Sequence, residues 1–197
     1  MQLSEKGPDQ PQRLTRPVAG FLAVAVGLLR LVPHPWNFTP SYAMEVFAGA
    51  RLRSWHAFAL PLAIRLVTDV LLLPVHSLAT SPGYYLSFLP FAYLGLIVNV
   101  LLGMTLRGTQ SPWRIGAVAI LASEQFFLIT NFGAWLGSEM YPHTLQGLIT
   151  CYAMGIPFFG GTLLSSLAYA GVLFGAHALL TRKQFEPARA AVAIEAS

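Results

Sequence analysis

The stretch 16–51, RPVAGFLAVAVGLLRLVPHPWNFTPSYAMEVFAGAR, decides how this chain folds. It begins at a cation, Arg16, and runs without charge from Pro17 to Leu29. It then crosses a connection without Lys or Arg and returns through a shorter apolar piece to Arg51 and Arg53. A hydrocarbon core of ~30 Å takes about 20 helical residues, and cytoplasmic connections collect Lys and Arg. The stretch therefore reads as a helix going out, 17–33, and a short helix coming back, 40–53. No small-residue cleavage site closes the first run, so it reads as a retained helix and not a signal peptide. The same ruler places further helices at 55–78, 86–106, 113–136 and about 159–181. A piece at 144–157, TLQGLITCYAMGIP, is too short to span and ends at a proline; it reads as a re-entrant or interfacial helix.

Composition agrees. Of 197 residues only 20 are Lys, Arg, Asp or Glu, and 55% are hydrophobic. Soluble domains carry about 25% charged residues, so lipid is the expected solvent and most soluble enzyme classes are excluded. The 13 Phe, 7 Tyr and 4 Trp exclude disorder. The net charge of +4 comes from segment ends and does not indicate a nucleic-acid surface. Cys151 stands alone, so no internal disulfide forms and no zinc spacing exists.

Lys6, Arg13 and Arg16 precede helix 1; Arg51 and Arg53 separate helices 2 and 3; Arg107 and Arg114 separate helices 4 and 5; Arg182, Lys183 and Arg189 follow helix 6. The alternate connections, 33–40, 74–85 and 137–143, hold no Lys or Arg. This alternation predicts an all-α, polytopic membrane protein with six transmembrane helices and both termini in the cytoplasm. Residues 1–16 and 182–197 read as cytoplasmic tails, the first of them flexible, flanking a single membrane domain over 17–181.

Five ionisable residues fall inside the predicted spans: Arg30, Glu45, Arg65, Asp69 and Glu124. Charge at that depth is costly and is paired or functional by default. Arg30 and Glu45 lie at matching depth on helices joined by a short loop, which predicts an ion pair between them. Arg65 and Asp69 are one turn apart on helix 3 and can pair there. Two cations against three carboxylates leave one carboxylate over, and Glu124, in mid-helix 5, is the candidate. It would serve proton coupling, or sit protonated and silent against Ser123 or Asn131.

His34, His76 and His143 share the predicted outer connections with Trp36, Asn37, Tyr84, Tyr85 and Tyr141. Two readings stand: an aromatic belt at headgroup depth, or an outward pocket whose rings stack on a flat ligand. No HxxxH or HxH spacing supports a metal site, and no cofactor is indicated. Rows of small residues in helix 1 (Ala19, Ala23, Gly27) and helix 6 (Gly171, Gly175) suit close helix packing, within the chain or against a partner membrane subunit. Helix 1 is the expected docking helix. No nucleophile elbow, Walker loop, HExxH or GxGxxG occurs, so an enzyme is not expected.

The segments RLVPHPWNFTPSYAMEVFAGARL at 30–52, TNFGAWL at 130–136 and YPHTLQGLITCYAMGIPFFGGTLL at 141–164 resemble an uncharacterised family of small bacterial integral membrane proteins, over roughly residues 17–181. NFTP, an acid at Asp69, NFGxW, YPxT, CY and PFF follow in that family's order. In architecture the chain is similar to the substrate-binding S components of energy-coupling-factor vitamin transporters, and in size to that group's solitary cobalamin transporter. The resemblance implies a pocket beneath the outer loops for a vitamin or related small molecule. It also implies delivery with a partner transmembrane subunit and two ATPases. An outer-loop cysteine that binds cobalt has no counterpart in 74–85, which counts against cobalamin. The expected pocket lining is Asn37, Tyr85, Asn131, Trp135, Tyr141, Cys151 and Tyr152. The expected location is the bacterial inner membrane. The alternative is a structural or accessory subunit without a small-molecule ligand.

Overall fold

The computed structural model describes residues 12–35, 37–53, 55–79 and 82–182, the side chains of 12–15, 76–79, 82–85 and 182 excepted. Six helices follow one another: α1 (Gln12–Leu28), α2 (Ser41–Arg51), α3 (His56–Ala79), α4 (Pro82–Met104), α5 (Pro112–Gly137) and α6 (Leu145–Arg182). A single 3-10 turn, Leu29–Leu31, extends α1, and no strand occurs among the described residues. Four stretches are long and apolar enough to cross a bilayer: His56–Val75, Leu86–Met104, Pro112–Gly137 and Leu145–Thr181.

Polarity is inverted relative to a protein in water. Phe21, Leu66, Val70, Leu164 and Val172 are exposed, while Glu45, Thr68, Asn99, Ser123, Ser165 and Ser166 have no exposed surface. Apolar faces turned outward and polar groups paired inward are what a hydrocarbon solvent selects. The chain is thus a membrane protein in contact with lipid.

At the centre lies α2, only 11 residues long, with every residue from Ser41 to Ala50 buried. An isolated helix of that length is marginal in water; here α1, α3, α4, α5 and α6 all touch it. Two glycines allow the closest approach. A Cβ on Gly49 would strike the Val100 carbonyl, and one on Gly103 would strike the Val46 carbonyl. The α2–α4 crossing therefore tolerates no side chain at either position. The far end of α2 is tied by exchanged caps. Arg51 donates to the carbonyls of Leu106 (3.2 Å) and Thr109 (2.7 Å), and Arg107 donates to those of Gly49 (3.2 Å) and Leu52 (3.4 Å). Helix C-termini leave such carbonyls unpaired and attract cations.

Two boundary expectations need correction. The segment 144–157 is not a separate re-entrant helix: it is the first part of α6, a continuous helix of 38 residues with Pro157 inside it. A proline in a helix removes one N–H and one hydrogen bond. Packing on α5 outweighs that loss: the Tyr152 hydroxyl donates to the Leu128 carbonyl at 2.8 Å, and Gly155 abuts Asn131. Helix 1 also starts earlier than its apolar run, at Gln12, inside the segment read as a tail. The rest of the expected tails, 1–11 and 183–197, lies outside the described residues.

Of the two uses expected for the small-residue rows, the helix 1 row shows packing within the chain, and the α6 row does not. Ala19 and Ala23 are fully buried, and a Cβ on Gly27 would come within 2.9 Å of Ile64, so the helix 1 row is consumed inside the bundle. Gly171 and Gly175 on α6 meet nothing within 4 Å of the space a Cβ would take.

Candidate functional site

The interior charges gather where the end of α1 meets α3 and α4. Asp69 is the hub. Its Oδ1 lies 2.6 Å from Arg30 Nη2, and its Oδ2 accepts from Arg65 Nε at 2.9 Å and from the Tyr93 hydroxyl at 3.1 Å. Arg30 Nη1 also donates to the Thr68 hydroxyl at 2.5 Å, which in turn donates to the Arg65 carbonyl at 3.1 Å. The Arg65–Asp69 pair is thus as expected from its one-turn spacing. The Arg30–Glu45 pair is not: Arg30 turns to α3. Depth along a helix axis matched the two residues, but depth says nothing about azimuth, and Glu45 faces α4.

Glu45 starts a second chain. Asn99 Nδ2 on α4 donates to Glu45 Oε2 at 2.7 Å, and Asn99 Oδ1 accepts from Gln125 Nε2 on α5 at 2.6 Å. The same Gln125 nitrogen also reaches the carbonyls of Gly95 and Ala122, at 3.2 and 3.1 Å. Glu45 and Asn99 have no exposed surface. By count alone the two cations, Arg30 and Arg65, equal the two buried carboxylates, Asp69 and Glu45, although both cations contact Asp69.

Glu124 is outside this balance. It is exposed, on a face of α5 with Ile120, Leu121 and Leu128. The side chains expected beside it are engaged elsewhere: Ser123 donates to Ser166 at 2.8 Å, and Asn131 donates to the Phe127 carbonyl at 2.8 Å.

Asn131, Trp135, Tyr141, Cys151 and Tyr152 gather on the α5–α6 hairpin. Trp135 Nε1 donates to the Pro142 carbonyl at 2.9 Å, His143 Nε2 lies 3.1 Å from the Trp135 carbonyl, and the Cys151 thiol lies 3.4 Å from that of Asn131. These bonds, with that of Tyr152, tie the hairpin together. Asn37 is exposed on the connection before α2, in the left-handed region with φ 57°. The side chains of Tyr85, Tyr84 and His76, and all of Trp36, lie outside the described residues. No three His, Cys, Asp or Glu among the described residues could share a metal ion.

A cavity of about 350 Å³ opens between the first half of α5 and the last half of α6, lined by Ile115, Gly116, Leu167, Gly171, Phe174 and Gly175 among others. It lies at the end of the bundle where Arg51 stands over the Phe174 ring at 4.9 Å, away from the α5–α6 hairpin.

Asn99, Gln125, Tyr93 and Thr68 were not anticipated. The signal was present in two of them: an amide within the apolar run LIVNVLL, and another in SEQFF, are polar groups that must find partners across helices.

The chain belongs to a family of unknown function, DUF6580, which it matches over residues 11–190. No curated protein and no solved structure matches it.

Proposed function

We propose that this protein is a multi-pass carrier of the bacterial inner membrane, with six helices and both termini in the cytoplasm. On this reading it binds a small molecule, a vitamin or related compound, from outside and helps to import it without catalysing a reaction. The observation that carries the reading is α2: eleven residues, about 16 Å of helix, buried on every side and entered from the 32–40 connection. A short helix buried in this way ends inside the bundle, as do the broken helices whose ends and polar side chains converge at the sites of carriers. Asn37, Tyr85, Asn131, Trp135, Tyr141, Cys151 and Tyr152 are the proposed pocket.

The test is extraction of purified protein followed by mass spectrometry of what it releases. A small molecule should be retained by the wild type and lost from Asn37→Ala and Trp135→Ala proteins that still reach the membrane. Retention by all such variants places the pocket elsewhere, and a ligand-free wild type that fails to take up candidate solutes ends the carrier reading.

A second reading, an accessory subunit that holds another membrane protein, is favoured by the open glycines of α6 and by Glu124 on an exposed apolar face. Crosslinking from Gly171→Cys in intact membranes separates the two: one adduct of fixed mass supports the subunit reading.

A further inference from the structure

Glu45, Asn99 and Gln125 come from three different helices and form one hydrogen-bonded chain. Asn99 uses its N–H on the carboxylate and its oxygen on Gln125. Two oxygens then have no donor among the described residues: Glu45 Oε1 and Gln125 Oε1. Both are buried acceptors, on the two outer members of the chain. An acceptor without a donor is costly in hydrocarbon. Two of them flanking one amide mark a place built to receive a donor.

The donor that fits is a proton. Divalent cations take about six or more oxygen ligands, and here the N–H2 groups of Asn99 and Gln125 already point into the chain, where their hydrogens repel a metal ion. A proton needs one lone pair.

We infer that Glu45 is a proton-binding site inside the bundle, taking up and releasing one proton at Oε1. The step is Glu45–CO2⁻ plus H3O⁺ giving Glu45–CO2H plus H2O: one O–H bond forms on the carboxyl as one breaks on hydronium, and nothing is oxidised or reduced. Oε1 changes from acceptor to donor. The groups that act on it are Arg30 from the end of α1, Arg65 and Asp69 on α3 and Tyr42 on α2 itself, while Tyr93 on α4 is bonded to Asp69. His177 on α6 reaches α2 through the Phe47 ring, and α5 presents the uncharged Gln125 while its Glu124 is exposed. The arginines favour the carboxylate and burial favours the acid, and the two oppose each other at one residue. The charge change falls on α2, the shortest of the six helices and the one buried at the centre of the bundle. This site goes beyond the carrier reading and holds whether or not a solute is moved.

Infrared difference spectra of the full-length protein in lipid vesicles, alkaline against acidic buffer, test it. A protonated-carboxyl C=O band should grow in acid, shift in D2O, vanish in Glu45→Gln and persist in Glu124→Gln. Should Glu45→Gln fail to fold, Asn99→Ala and Gln125→Leu decide: each should move the band's midpoint by about tenfold in proton concentration. The proposal is overturned by the absence of a pH-dependent band, by its persistence in Glu45→Gln, or by a midpoint that neither amide variant moves. A midpoint that follows sodium at fixed pH and ionic strength overturns it in favour of a metal cation.

Discussion

Asp69 and Glu45 are both buried carboxylates in one helix bundle, and their surroundings differ in kind. Asp69 is met by two guanidiniums and a phenol, so its charge is matched at contact distance. Glu45 is met by one neutral amide, with the cations a helix away. Direct pairing locks a charge in place, because removing either partner strands the other. Matching at a distance leaves the charge free to come and go. One carboxylate therefore fixes the α1–α3–α4 packing, while the other is placed to respond.

The sharpest way to break this contrast is Asp69→Ala. It leaves Arg30 and Arg65 buried without a counter-charge, and the expected loss is ~3–5 kcal/mol, read by unfolding in detergent micelles. Replacing all three, with Arg30→Met, Arg65→Met and Asp69→Leu, should recover most of it. Next comes Gly103→Ala, which drives a methyl into the Val46 carbonyl and pushes α2 from α4. A loss of about 2 kcal/mol is expected, with the Glu45–Asn99 contact loosened and the Asp69 cluster intact. Crosslinking efficiency between cysteines placed on α2 and α4 checks the displacement.

Tyr93→Phe removes one of several donors to Asp69, and about 1 kcal/mol is expected from the same unfolding measurement. A loss as large as that of Asp69→Ala would mean that the phenol, not the arginines, holds the cluster. Smallest is Gly171→Ala, whose new methyl enters open space. Helix propensity alone predicts a gain below about 1 kcal/mol, and a large loss in native membranes but not in detergent would reveal a bound neighbour.

Much of the fold could be read from where charge is missing. Apolar runs bounded by Arg and Lys place α2 to α5 to within about four residues, the short α2 included, and find α1 and α6, but α6 begins at Leu145, well before the expected start near 159. Spacing along a single helix was equally informative, as with Arg65 and Asp69. Contacts between helices were not legible in the same way. The Arg30 assignment failed because depth fixes height and leaves rotation about the axis open, and one residue of rotation, about 100°, turns a side chain to another neighbour. Pro157 misled for a related reason: a proline lowers helix propensity locally, and tertiary packing on α5 outweighs it. Of the expected pocket residues, five meet at one hairpin, and that grouping follows from sequence order alone.

At 38 residues α6 is about 57 Å long, nearly twice a hydrocarbon core of ~30 Å. Leu145 at one end and Leu179 and Leu180 at the other are all exposed. No tilt within the usual ~0–40° shortens such a rod to the membrane's width. The excess length is taken up by bending at Pro157, by lifting one apolar end into water or by drawing lipid up around it, and the last two costs fall as the bilayer thickens. The protein therefore carries a built-in preference for long-chain lipids, and its melting temperature in vesicles should rise with acyl length.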